Sequence, residues 1–203
     1  MNSNNYFSAK RITWLGILIA LVVVLQLFAS AIPMFGITLN FSLIPIAIAG
    51  IVLGVAGGTI VGLCCGITVF ITTAVMGQEP STLFFFQTQP VILTIMCIGK
   101  TTVAGAMSGL VYRLLEKKNK TLGVYASSFI IPIFNTGIYM LGIVLMKDSA
   151  AQFLGLESSS AGVVFAVVFG LIWLNFVMEI AVNVVFAPMI YRIIKAIDRV
   201  GDR

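Results

Sequence analysis

Residues 40–75 read NFSLIPIAIAGIVLGVAGGTIVGLCCGITVFITTAV, from Asn40 to Val75. The stretch is apolar almost throughout, and a helix needs roughly 20 apolar residues to cross a bilayer core. The Gly54-Val55-Ala56-Gly57-Gly58 turn splits it into two spans, about Asn40 to Val55 and Gly57 to Val75. Four more apolar runs flank this pair: Ile12 to about Phe35, about Gln89 to Leu115, Gly123 to Met146, and Ala161 to Ile194. The sequence therefore predicts an all-α membrane protein, a bundle of six transmembrane helices forming one integral membrane domain over residues 1–203.

Composition supports the bilayer as solvent. Of the 203 residues, 60% are hydrophobic and 9% charged, against about 25% charged in soluble domains. The mean hydropathy is +1.10. The net charge of +5 fits basic cytoplasmic loops better than nucleic-acid binding. Cys64, Cys65 and Cys97 lie in apolar runs, where cysteine acts as a small hydrophobe. Histidine is absent, which removes the commonest metal ligand and general base. Lys10, Arg11 and the Ala29-Ser30-Ala31 triplet resemble a secretory signal, but the apolar run is long for one and continues through Ile32-Pro33-Met34-Phe35.

Charge sets the expected orientation. With six spans, Lys10, Arg11, Arg113, Lys117, Lys118, Lys120, Arg192, Lys195, Arg199 and Arg203 share the side of the termini. The opposite loops hold only Lys147, beside Glu79, Asp148 and Glu157. Both termini are expected in the cytoplasm.

Ionisable residues inside spans are costly and point to function. Lys100 lies deep in the fourth span, and Glu179 mid-way along the sixth with Asn175 and Asn183 on one helix face. Two roles compete for Lys100 and Glu179: an ion pair that holds two helices together, or a solute site with Lys100 as anion anchor. Asn40, Ser42, Gln78, Gln87, Gln89, Asn135 and Thr136 gather toward the outer side, the last two just after Pro132. Proline removes a helix hydrogen bond and frees backbone groups toward a cavity. Phe84, Phe85 and Phe86 are packing residues or a lid. Gly50, Gly54, Gly58, Gly62 and Gly66, with Gly105 and Gly109, form small-residue rows for close helix packing. Gly16 and Ala20 form another such pair, on the first span.

Several of these stretches resemble a known family. Asn40-Phe41-Ser42-Leu43-Ile44-Pro45, Ala49-Gly50-Ile51-Val52-Leu53-Gly54 and Gly57-Gly58 are similar to the second and third helices of S components of energy-coupling factor (ECF) transporters. Pro132-Ile133-Phe134-Asn135-Thr136-Gly137 is similar to the fifth helix of some members. The resemblance spans essentially the whole chain. It implies capture of a vitamin near the outer face, then docking on a coupling membrane protein and two cytoplasmic ATPase subunits. The S component is thought to topple in the membrane and release its ligand inside. The family docks through an Ala-xxx-Ala pattern on the first helix, and the matching positions here are Gly16 and Ala20. The chain itself has no Gly-rich phosphate loop, so its energy comes from a partner or a gradient; the resemblance implies that the partner subunits hydrolyse ATP, and no cofactor is expected.

Lys100 suggests an anionic ligand, since an ammonium binds a carboxylate well. Asn135-Thr136 and the fourth span resemble pantothenate-type members, while the second span lacks the Lys-acid feature of riboflavin-type ones. The expected substrate site draws on Asn40, Gln87, Gln89, Lys100, Asn135, Asn175 and Glu179. It is placed in a cavity between the first loop, the Thr82–Gln89 loop and the last three spans. Riboflavin, folate, pyrimidine and pyridoxine vitamins are the other ligands in view. An autonomous ion-coupled carrier using Lys100 and Glu179 is the competing class. A hydrolytic enzyme lacks a base or ligand set.

Overall fold

The computed structural model describes residues 9–31, 40–156 and 160–201. All regular elements among them are helical: α1 Ala9–Ala31, α2 Leu43–Val69, α3 Pro80–Thr88, α4 Pro90–Leu115, α5 Lys120–Leu145, α6 Lys147–Leu154 and α7 Ala161–Gly201. A π-helical turn, Phe70–Val75, continues α2. The expected end of the first span at Phe35, and the residues Glu157 and Arg203, lie outside the described residues.

Among the described residues, five stretches are long and apolar enough to cross a membrane: Ala9–Phe28, Leu43–Val75, Pro90–Leu115, Lys120–Leu145 and Ile172–Ala196. The second of these is not straight. Gly54 has φ 77° and ψ −169°, a backbone that glycine alone adopts without strain. Beyond it the chain doubles back. Ser42 Oγ lies 3.3 Å from Cys65 Sγ, whereas one straight helix would separate them by roughly 34 Å. Residues 43–53 and 55–75 are thus two antiparallel limbs. The first limb is about 16 Å long, half of a ~30 Å hydrocarbon core. It is shorter than the Asn40 to Val55 span that the sequence predicts, because the reversal comes at Gly54 and the helix opens only at Leu43.

The second limb packs on α4 backbone to backbone. A methyl group on Gly58 would overlap the Gly105 carbonyl, and one on Gly62 the Thr101 carbonyl. Gly66 sits in the same way on Ile98, and Gly109 on Val55. These glycines are packing residues, whereas Gly54 is the turn itself.

Two short helices occupy connections that the sequence reading leaves irregular. Pro80 and Pro90 open α3 and α4, at the position where a missing N–H costs nothing. Gln89, before Pro90, breaks the path between them with φ −141° and ψ 68°. α6 ends on Gly155 in the left-handed conformation. Asn119 caps α5, its side chain accepting from the Leu122 N–H at 3.1 Å.

The core divides in two. One apolar cluster joins Leu18 and Val22 of α1, most of α2, Ala104 and Tyr112 of α4, Val124 and Ile131 of α5, and Ala187 and Ile190 of α7. The other joins Ala74, Phe85 of α3, Leu93, Met96 and Cys97 of α4, Met140 and Ile143 of α5, α6, and Val164 and Val168 of α7. Large apolar side chains such as Phe28, Ile95, Leu145 and Val185 stay exposed, as a lipid-facing surface requires.

Candidate functional site

The deep polar residues fall between the two apolar clusters. On α4, Lys100 separates Cys97 from Ala104; on α5, Asn135 and Thr136 separate Ile131 from Met140; on α7, Asn175 and Glu179 separate Val168 from Ala187. Three helices thus lose apolar contacts at one level and present polar groups there.

Glu179, 4% exposed, is the hub. Thr136 Oγ1 donates to Glu179 Oε2 at 3.1 Å, and Asn175 Nδ2 donates to Oε1 at 3.4 Å. Asn135, next to Thr136 on α5, is buried in the same layer. Asn183 Nδ2 donates to the Glu179 backbone carbonyl at 2.9 Å. A buried carboxylate needs such donors to offset lost hydration. Lys100 does not supply them. Its ammonium stands 5.0 Å from the centroid of the Tyr139 ring, a cation–π arrangement. Among the described residues it forms no ion pair with Glu179 within 4.0 Å.

A second polar group adjoins the first. Ser42 Oγ is 3.4 Å from Gln26 Oε1, beside Cys65 and in hydrogen-bonding contact with Asn40 Oδ1. A shallow crevice lined by Asn40, Phe41, Glu179, Val182 and Asn183 links the two groups and has no room for even a water molecule. Small-molecule pockets run to about 300–1,000 Å³. The half-buried cavity expected from the sequence corresponds here to this crevice. The first-loop part of that expectation, residues 36–39, lies outside the described residues.

A family model described as the substrate-specific component of ECF transporters matches residues 10–191. The chain belongs to that family. No match is found among curated proteins or among solved structures. As a substrate-specific component it is a membrane transport subunit and not an enzyme, with a small-molecule substrate and ECF-module partners.

In this substrate-specific component, Asn40 and Glu179 line the crevice, Asn175 bonds the Glu179 carboxylate, Asn135 is buried on α5, and Lys100 lies over Tyr139. The structure does not bring Gln87 and Gln89 into that set. Gln87 is exposed on α3, and Gln89 Nε2 donates to Ser149 Oγ at 3.1 Å, tying α4 to α6. The phenylalanine triplet packs in the same region: Phe86 edge-on to Phe70 at 5.4 Å, and Phe84 on Phe153 at 5.3 Å. Gly16 and Ala20 are exposed on α1, and nothing within 4 Å would meet a side chain at Gly16. Gln26 is absent from the sequence candidates although it is buried. A lone glutamine in Val24-Leu25-Gln26-Leu27-Phe28 was the available signal, by the rule that singled out Lys100.

Proposed function

We propose that this substrate-specific component captures a small anionic vitamin, pantothenate foremost, and hands it to a coupling membrane protein whose two cytoplasmic ATPase subunits hydrolyse the ATP. The observation that carries the reading is the buried polar layer, in which Lys100 pairs with no acid among the described residues while neutral donors satisfy Glu179. An ammonium held this way is ready for a carboxylate from outside the protein. Asn40, Asn135, Asn175 and Glu179 line the substrate's path, and Gln89 steadies the outer cap through α6. The chain crosses the membrane as six helices, the half-length first limb of α2 counted among them, with both termini cytoplasmic. Gly16 and Ala20 form the docking face for the coupling protein, since small residues admit close helix contact.

The test is Lys100→Met, with folding checked by size-exclusion chromatography. Loss of a charge-assisted bond to a desolvated anion is expected to cost on the order of 2–5 kcal/mol, roughly 30-fold to several thousand-fold in affinity. Vitamin binding within about threefold of the wild type removes the anionic-ligand reading.

A further inference from the structure

Three carboxamide oxygens around Glu179 have no hydrogen-bond partner within the protein: Asn135 Oδ1, Asn175 Oδ1 and Asn183 Oδ1, each inaccessible to solvent. Asn135 and Asn183 are 4% and 1% exposed. The amide orientations are forced. Asn175 and Asn183 turn their N–H groups to a carboxylate and a backbone carbonyl, both acceptors only, so flipping either would set oxygen against oxygen. The layer thus offers a carboxylate and three unmet carbonyl oxygens, all acceptors. Buried acceptors are rarely left unmet in folded proteins. An anionic group set against these oxygens would meet like partial charges. Lys100, on α4, is the opposite pole.

Resting on the proposed vitamin-binding reading of this layer, we infer that the site selects a bipolar ligand. The ligand carries an acid for Lys100 and two or more O–H or N–H donors for the Asn135, Asn175 and Asn183 carbonyls. Acids without donors, and donor-rich neutral molecules without an acid, satisfy one pole only.

Three probes test this by calorimetry on the purified full-length protein. Pantothenate has both ends; panthenol replaces the carboxylate by an alcohol; N-isovaleryl-β-alanine keeps the carboxylate and lacks the hydroxyls. Each truncated probe is expected to bind at least about 30-fold more weakly than pantothenate. Equal binding of N-isovaleryl-β-alanine overturns the donor pole, and equal binding of panthenol overturns the acid pole. If pantothenate itself does not bind, that vitamin falls and the rule is judged on the ligand extracted from the purified protein by mass spectrometry. An acid bearing several donors upholds the rule, a ligand missing either feature overturns it, and recovery of no ligand overturns both. Asn183→Leu is the companion variant. It removes an unmet acceptor, so the empty protein should melt no lower than wild type, while ligand affinity falls at least about tenfold. A lower melting temperature with unchanged affinity marks Asn183 as structural and overturns its part. Asn175→Leu repeats the test should Asn183→Leu fail to fold.

Discussion

The Glu179 carboxylate accepts from a threonine and an asparagine side chain on two helices, so its removal strands donors. Glu179→Leu leaves the Thr136 and Asn175 donors without an acceptor, each unmet buried group costing about 1–3 kcal/mol. Glu179→Gln retains one carbonyl oxygen for them. In thermal melts of the detergent-solubilised protein, the leucine variant should fall well below the glutamine variant; equal melting temperatures would mean that these bonds add nothing. Lys100 and Glu179 were visible in the sequence because charge stands out in an apolar run. Their relation was not. Two residues on different helices face each other or not according to helix rotation, and one sequence does not carry that angle.

At the scale of helices, glycine has two uses here. Gly62 abuts the Thr101 backbone, while Gly16 meets nothing within 4 Å. Gly62→Ala drives a methyl group into a carbonyl oxygen that cannot rotate away. It should destabilise the protein by about 1–3 kcal/mol, the usual cost of overpacking, read as a lower melting temperature. Gly16→Trp should leave melting and vitamin binding alone and abolish co-purification with the coupling protein and its ATPases. Loss of vitamin binding in Gly16→Trp would place Gly16 in the internal packing instead. The glycine row was legible as spacing, and its neighbours were not. α3 and α6 escaped the reading because they are 9 and 8 residues long and sit in a connection with polar and proline residues. Pro80 and Pro90 are helix starts.

The whole chain was the most legible, because its all-helical membrane character needs only hydropathy and length. The proposed orientation rests on the Lys and Arg bias and is open to direct labelling. In a background with Cys64, Cys65 and Cys97 replaced, a cysteine at Gln152 should react with an impermeant maleimide applied outside intact cells. One at Asn119 should react only after permeabilisation, and the reverse pattern would invert the topology. Why the polar layer sits where it does was beyond sequence reading, since it is defined by two cores that only the folded chain assembles. The glycine seam between α2 and α4 also bears on movement. Surfaces that meet through side chains can slide by exchanging rotamers. Surfaces that meet through carbonyl oxygens and Cα atoms have no such gearing, so α2 and α4 behave as a stator. On the proposed reading of the crevice as the ligand's path, opening it falls to α1, α7 and the α3–α6 cap, against the α2–α4 frame.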